Sequence, residues 1–213
     1  GGLRSNLQAL FPYFMSPDDE PYIANVAKLR VPDGDEDFDP RGKLDVGDKK
    51  LKYREDSDVT GQEAIALDRF LATFTPSWQP PKDQFTDWYF MAMVDRDDSY
   101  FYAKPVFLIM DFGVGSAGDI FVSTFKGWRN VTLVGSASNG RSGNSRNFDL
   151  GNSKLPVRLS TMASFQKTGE KYDGVGVQPD IVVEAQISDW LEQSDTVLDR
   201  VREMAIESRS KSR

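Results

Sequence analysis

Ser116 is the residue whose type and position most directly predict chemistry in this chain. It stands between Gly115 and Ala117, after a short apolar run at residues 106–110 and at the start of a segment with helical spacing. A serine at such a strand-to-helix junction presents its hydroxyl at the carboxyl edge of the sheet, where α/β proteins bind ligands. The amides of Ala117 and Gly118 are predicted to be unpaired, as half of an oxyanion hole. The alternative is that Ser116 only caps the helix.

The histidine and cysteine content limits how such a serine can be activated. The chain has no histidine, so a Ser-His-Asp triad cannot be assembled from these residues alone, and a zinc site would need carboxylates only. It also has no cysteine, which excludes disulfides, thiolate catalysis and thiolate metal sites. Acid–base chemistry must therefore use Lys, Asp, Glu, Tyr or a group supplied from elsewhere.

Composition and charge predict one globular domain that is a poor partner for polyanions. The 213 residues are 39% hydrophobic, which is enough to bury a core. The net charge of −7 disfavours binding to nucleic acid or to an anionic membrane. No apolar run approaches the roughly 20 residues that span a bilayer. Nothing in the composition calls for a cofactor.

The elements around Ser116 follow the order strand, turn, helix, strand. Residues 106–110 are typical of a strand covered on both faces, residues 111–115 of a tight turn, and residues 131–134 of a second buried strand after a helix at 116–126. This order predicts a right-handed βαβ unit and an α/β fold with mixed strands. Further helices are predicted at 3–11, 60–74 and 195–208, and strands at 22–31, 156–162 and 181–183. The segment Thr60-Gly61-Gln62-Glu63 predicts the start of the second of these helices, with Thr60 as its cap. The predicted inward face of the first helix consists of Leu3, Leu7, Leu10 and Phe11.

A strongly charged segment, roughly residues 32–60, interrupts the apolar pattern and is predicted to be a surface excursion. Its alternating aspartates suggest a calcium loop, but Phe38 stands where such a loop needs glycine and Leu44 where it needs glutamate. We therefore interpret the segment as a charged surface loop and predict no metal site. The aspartates are Asp33, Asp35, Asp37 and Asp39.

A group of aromatic residues follows between residues 78 and 90. Aromatic side chains at this density more often cover a core than line a substrate groove, although both interpretations remain open. Nearby prolines indicate an insertion over the edge of the sheet. The aromatic residues are Trp78, Phe85, Trp88, Tyr89 and Phe90.

Four separated motifs occur in an order and spacing that resemble one peptidase family. KPVFLIMD leads to GSAGDIF around Ser116, and VTLVGSASNGRSG follows from Val131. A segment from Val157, VRLSTMASFQKTGEKYDGVGVQPDIVVE, contains the form G-[VI]-x-P-D, and Gly1-Gly2 precedes a helix as the end of an N-x-G-G-G loop does. Together they resemble the tail-specific, or C-terminal processing, serine peptidases, a group that includes the tricorn-like peptidases. The resemblance implies a crotonase-like mixed-sheet core with βαβ units and a surface insertion.

The resemblance also implies roles for single residues. Ser116 matches the nucleophile and the Ala117 amide one oxyanion donor, and the Gly1-Gly2 region would supply the second donor. Arg141 stands in the glycine turn, residues 135–143, which follows the strand at 131–134. In lysine-dependent members of the family this turn holds the general base. Because arginine keeps its proton at any working pH, a Ser-Lys dyad is excluded at that position.

The tricorn-like branch activates its serine with a histidine from an earlier segment and uses an acidic residue near the terminal motif. Asp173, directly before Gly174, matches the acidic position by spacing, and the alternative is an ordinary turn aspartate. The resemblance then implies that the chain is truncated just before Gly1, with the histidine in an upstream domain of the same gene product. Arg141 would hold a substrate carboxylate or belong to a solvated loop.

These residues favour a serine-type endopeptidase or C-terminal processing peptidase that acts on peptides or proteins. It would form an acyl-enzyme on Ser116 and lack its general base within this chain. The alternative is a non-catalytic peptide-binding or scaffold module that keeps the peptidase fold. An acyl-CoA enzyme ranks third, because related core architecture alone does not establish function. The resemblance also implies an exported bacterial protein.

Overall fold

The computed structural model describes residues 2–33, 51–97 and 100–211. Gly1 and most of the charged excursion, with Asp35, Asp37 and Asp39, lie outside the described residues. The helices are α1 Arg4–Leu10, continued by a 3-10 turn at Phe11–Phe14, then α2 Gly61–Thr73, α3 Ala117–Phe125, α4 Ile187–Trp190 and α5 Thr196–Lys211. The strands are β1 Tyr22–Leu29, β2 Tyr89–Met93, β3 Val106–Met110, β4 Val131–Gly135, β5 Ser145–Asp149, β6 Pro156–Ser160, β7 Met162–Phe165 and β8 Ile181–Val182.

The strands form two three-stranded sheets and a hairpin. One sheet is antiparallel with the order β2-β1-β7, and the other is parallel with the order β3-β4-β8. Among the described strands, β5 and β6 pair only with each other. The predicted α/β class with mixed strands is therefore confirmed.

Helix α3 connects β3 to β4, which pair in parallel from Val106 opposite Val131. Its apolar side, with Ile120 and Phe125, packs into a core shared with Phe11 at the end of α1. A parallel pair cannot be joined by a tight turn, so the chain must cross over the sheet, and the helix covers a face of it. This crossover places Ser116 at the carboxyl end of β3.

Helix α2 begins where its capping residues predict. The Thr60 hydroxyl accepts a hydrogen bond from the Glu63 amide at 3.2 Å, and the Glu63 carboxylate accepts one from the Thr60 amide at 2.8 Å. This reciprocal pair is a capping box, and it stabilises the first turn of the helix. Leu67 of α2 packs against Phe90 and Phe165 in a second core cluster.

The first helix buries a different face from the one predicted. Leu3 and Leu10 are exposed, whereas Arg4, Leu7 and Phe11 are buried. The buried positions are separated by three and four residues, so they form one helical stripe that includes a cation. The apolar pattern alone led to the wrong stripe because it did not admit a charged residue.

The predicted strand at 156–162 is divided between two sheets. Its first part, β6, pairs with β5, and its continuation, β7, pairs with β1. The division falls at Thr161, whose amide donates to the Asn144 carbonyl and whose carbonyl accepts from the Arg30 amide at 2.8 Å. Strand β5 lies partly in a stretch predicted as loop, because its pairing with β6 is a long-range contact.

Two further observations concern the surface of the chain. No helix within the described ranges is both long and apolar enough to cross a membrane. In the described part of the excursion, Leu51 is buried and Lys52 pairs with Phe90 by two backbone hydrogen bonds of 2.9 Å. The excursion therefore rejoins the antiparallel sheet before residue 60.

Candidate active site

Ser116 lies in the sharp turn between β3 and α3 with an unusual backbone conformation. Its φ is 61° and its ψ is −123°, a region that residues other than glycine rarely adopt. Backbone strain of this kind costs on the order of 1–3 kcal/mol and is concentrated at functional sites. The side chain is exposed and makes no capping hydrogen bond, so the structure does not support a role as a simple helix cap.

The turn before Ser116 is held from two sides. The Val114 amide donates to the Asp111 carbonyl at 3.0 Å, and the Val114 carbonyl accepts from the Asn139 amide at 2.7 Å. The Asn139 side-chain amide donates to the Phe112 carbonyl at 2.9 Å. The glycine turn after β4 therefore fixes the turn that carries the serine.

The two amides after Ser116 differ in their availability. The Gly118 amide donates to the Gly115 carbonyl at 2.9 Å, so the expectation that it is unpaired was wrong. The Ala117 amide has no acceptor among the described residues. The Gly118 N–H is therefore used within the turn. The Ala117 N–H is the one left to stabilise an oxyanion.

Asp119 joins the serine helix to the glycine turn. It is fully buried, and its Oδ1 accepts hydrogen bonds from the Ser138 hydroxyl at 2.6 Å and from the Gly140 amide at 2.8 Å. Its Oδ2 accepts one from the Arg141 amide at 2.9 Å. The carboxylate thus holds three donors that would otherwise be unpaired in the interior.

Asp173 is held by donors from two neighbouring segments. Its Oδ1 accepts from the Ser142 hydroxyl and its Oδ2 from the Ser164 amide, each at 2.6 Å. Burial raises the pKa of Asp173 above its ordinary value, and these hydrogen bonds oppose that rise. The Gly143 backbone also acts as a hydrogen-bond donor to this carboxyl group, so Asp173 is held firmly in one orientation.

Arg4 is a buried cation next to this acid. Burial lowers the pKa of Arg4 below its ordinary value, and the negative charges that Asp173 and Tyr172 can carry act in the opposite direction. Tyr172 is itself fully buried, which raises its pKa, and its hydroxyl donates to the Asn25 side chain at 2.7 Å. Arg4 therefore supplies positive charge to the interior at Asp173.

These residues meet at one large cavity. It has a volume of about 1120 Å³, and Ser116, Ala117, Arg141 and Asp173 all line it. Gly2 lines it too, whereas Gly1 lies outside the described residues. The residues singled out from the sequence are therefore brought together wherever they are described.

The cations near the serine do not hydrogen-bond to it. The Arg141 Nε donates to the Asn139 side chain, and its guanidinium lies 5.9 Å from the Phe112 ring centre. Lys126 pairs with Asp180 at 2.6 Å. Lys171, which lines the cavity, has its ammonium 5.4 Å from the Trp78 ring centre. No base among the described residues hydrogen-bonds to the Ser116 hydroxyl.

The sequence comparisons decide the family. The model of peptidase family S41 matches residues 39–183, which is more than half of the chain. The chain belongs to peptidase family S41. A carboxy-terminal-processing protease of Bartonella bacilliformis is 28% identical over 95 residues, covering 45% of this chain and 22% of that protein.

Solved structures agree with the S41 assignment at the level of the fold. A protein of Parabacteroides merdae named as a peptidase has a TM-score of 0.61 at 16% identity, and the match covers 96% of this chain and 48% of that chain. Mature CPAF complexed with lactacystin has a TM-score of 0.60 at 16% identity, over 95% of this chain and 41% of CPAF. This S41 chain therefore spans less than half the length of these relatives.

Three residues of the S41 site were not identified from the sequence. Asp119 is part of the motif GSAGDIF, but the sequence does not show that it is buried and accepts hydrogen bonds from the glycine turn. Arg4 could have been found as a charged residue in line with Leu7 and Phe11. Lys171 carried no sequence signal, because its place in the cavity depends on the fold.

The aromatic group near the S41 site has two roles. Tyr89 and Phe90 are buried in the core as part of β2, whereas Trp78 and Phe85 line the cavity. The expectation that the group covers a core is confirmed for Tyr89 and Phe90, and the expectation of a substrate groove stays a prediction for Trp78 and Phe85. Among residues 2–33, 51–97 and 100–211, no cluster of acidic side chains suits a metal ion.

Proposed function

We propose that this chain is the catalytic core of a serine peptidase and that Ser116 is its nucleophile. The observation that carries the proposal is the strained, exposed Ser116 beside the unpaired Ala117 amide. We further propose that residues 1–213 form one domain with a crotonase-like core. The parallel crossover that carries the serine supports this architecture.

The chemistry proposed for this site is acyl transfer. The Ser116 Oγ attacks the peptide carbonyl carbon while a base takes the hydroxyl proton, and the Ala117 N–H stabilises the oxyanion. Collapse of this intermediate breaks the C–N bond and returns the proton to the leaving amine. Water then hydrolyses the acyl-enzyme in the same way. The second oxyanion donor is assigned to the Gly1-Gly2 segment, and the position of Gly2 in the cavity supports that assignment.

The general base is proposed to be an imidazole from outside these 213 residues. The sequence contains no histidine, and Arg141 cannot accept a proton. Asp173 would orient the imidazole, and its place in the cavity with Ser116 supports that role. An upstream domain of the same gene product is the proposed source of the histidine.

The proposed substrate is a peptide or protein, cleaved internally or near its carboxyl terminus. The cavity volume of about 1120 Å³ is large enough for several side chains. Arg141 is assigned to a substrate carboxylate, since its guanidinium is exposed and lines the cavity.

Fluorophosphonate labelling of the full-length gene product tests the nucleophile. We expect stoichiometric labelling of the native protein at Ser116, none in Ser116→Ala, and at least a tenfold slower rate in Asp173→Asn. Ser142→Ala is the matched control, because it removes one donor to Asp173 and keeps the carboxylate. Labelling at a different serine would overturn the assignment.

A non-catalytic peptide-binding module is the second candidate. It is favoured by one observation, namely that no base among the described residues reaches the Ser116 hydroxyl. This candidate predicts that the full-length protein binds peptides in the cavity but neither reacts with the fluorophosphonate nor cleaves peptide bonds. Turnover that disappears in Ser116→Ala would exclude it.

A further inference from the structure

The charge of the cavity is opposite to that of the protein. The chain has a net charge of −7. Of the described residues that line the cavity, five are Arg or Lys and one is Asp. A cleft lined by one sign of charge focuses its field on the ligand and attracts the opposite charge. The five cations are Arg4, Arg30, Arg141, Arg158 and Lys171.

Two of these cations interact with carboxylates. Arg4 is buried and interacts with the charge of Asp173. Arg30 approaches Asp33 at 3.7 Å and donates to the Gln84 side chain at 3.1 Å. They contribute little free charge to a ligand in the cavity.

The other three have no carboxylate partner within 4.0 Å among the described residues. Each is held by a neutral group instead. The Arg158 Nε donates to the Ser145 hydroxyl at 2.7 Å, the Arg141 Nε donates to Asn139, and the Lys171 ammonium lies over the Trp78 ring. Neutral partners orient these cations without cancelling their charge, so an incoming carboxylate need not displace an internal one.

The three cations lie on separate parts of the fold. Arg141 is in the glycine turn, Arg158 is in β6, and Lys171 follows the short loop after β7. The single carboxylate at a peptide terminus carries one negative charge, against the three positive charges of these side chains. Several carboxylates along a peptide can pair with all three.

The Thr161 hydroxyl is a buried polar group without a hydrogen-bond partner among the described residues, and Thr161 lines the same cavity. The residue is 5% exposed. A buried hydroxyl without a partner costs stability unless a ligand or water satisfies it.

We infer that the cavity selects peptide segments that carry Asp or Glu side chains near the scissile bond. The inference rests on the proposed function and specifies the substrate class of the same site. Arg141, Arg158 and Lys171 are its specificity-determining residues. Acidic side chains replace bulk water around these cations with charge-assisted hydrogen bonds, whereas a basic segment is repelled.

The test uses the full-length protein and a set of fluorogenic peptides of equal length. One peptide carries Asp and Glu around the scissile bond, its isostere carries Asn and Gln, and each is made with a free and an amidated carboxyl terminus. We expect kcat/KM for the acidic peptide to exceed that for the isostere by roughly tenfold to a hundredfold, and to fall as salt rises. Amidation should change it little.

Charge-matched variants assign the effect to the cavity. The double variant Arg158→Gln and Lys171→Gln should lose at least ten-fold of the preference for the acidic peptide while it still cleaves the neutral isostere. The control Arg200→Gln and Arg202→Gln removes two cations of α5 that pair on the surface with Glu203 and Asp199, and it should keep the full preference. Equal kcat/KM for acidic and neutral peptides would overturn the inference, and so would a preference that depends only on the free carboxyl terminus.

Binding to Ser116→Ala separates this inference from the proposed function. Fluorescence anisotropy with uncleavable acidic and neutral peptides should reproduce the acidic preference. If no peptide is cleaved by the native protein but acidic peptides still bind more tightly than neutral ones, the proposed function fails and only the charge selectivity of the cavity is supported. If all peptides are cleaved equally, the function stands and the inference fails.

Discussion

The buried Asp119 carboxylate accepts a hydrogen bond from the Ser138 hydroxyl at 2.6 Å. The same hydroxyl accepts one from the Val177 amide at 2.8 Å. Three motifs that are far apart in the sequence, around the serine, the glycine turn and the terminal G-V-x-P-D segment, are thereby joined in one buried network. Such networks position a site only when every member is satisfied.

Removal of the Asp119 carboxylate should destabilise the fold strongly. Asp119→Ala leaves the Ser138 hydroxyl and the Gly140 and Arg141 amides without their acceptor, so we expect the free energy of unfolding to fall by about 3 kcal/mol or more. Urea denaturation measures this change. Asp149→Ala, at an exposed strand position, should stay within about 0.5 kcal/mol of the native protein. Equal losses in the two variants would contradict the role given to the network.

Two glycines of the terminal motif should differ in their tolerance of alanine. Gly176 and Gly174 have φ of 77° and 90°, so alanine is strained at either position. A Cβ at Gly176 would also overlap the Ser138 carbonyl oxygen, whereas a Cβ at Gly174 meets nothing within 4 Å. We expect Gly174→Ala to cost about 1–2 kcal/mol and Gly176→Ala clearly more. Thermal unfolding of the two variants side by side provides the comparison, and similar melting temperatures would argue against the close packing at Gly176.

The strain at Ser116 predicts that two variants lacking the serine hydroxyl differ in their free energy of unfolding. Glycine adopts positive φ without cost, and alanine does not. Ser116→Gly should therefore be more stable than Ser116→Ala by about 1 kcal/mol, although both lose the nucleophile. Differential scanning calorimetry can resolve this difference. A Ser116→Ala variant as stable as Ser116→Gly would show that the turn carries no strain.

The raised pKa of Asp173 predicts a defined dependence of stability on pH. Burial raises the folded-state pKa above the ordinary value of 3.8. Between these two pKa values, the folded protein retains a proton that the unfolded chain has already lost. The contribution of protonated Asp173 to the free energy of unfolding is complete below pH 3.8. It is lost as pH rises through the folded-state pKa of Asp173.

Asp173→Asn removes that titration. The unfolding free energy of the native protein minus that of Asp173→Asn should therefore decrease as pH rises from 3.8 and become constant above the folded-state pKa. Denaturant titrations at closely spaced pH values measure the difference. A difference that grows with pH would mean that Asp173 is stabilised as the anion in the folded protein.

Much of the architecture could be predicted from local patterns. The apolar runs predicted β3 and β4, and the Thr60-x-x-Glu63 pair predicted the start of α2, because these signals lie within a few residues of one another. Strand β5 was missed because it is paired with β6, and no signal within β5 itself indicates that pairing. The continuous strand predicted at 156–162 was wrong, since no local signal shows that a chain leaves one sheet for another at Thr161.

The sequence by itself determined which groups are available for chemistry. It contains a serine that follows a glycine in a turn, no histidine, and an arginine, Arg141, in a second glycine-containing turn. These are properties of residue type and spacing, and no fold can change them. Only the tertiary structure decided that Asp119 is buried beneath the glycine turn, that Arg4 lies beside Asp173, and that unpaired cations gather around Ser116. The physical reason is that burial and charge pairing depend on contacts between distant residues, which exist only after the sheets have packed.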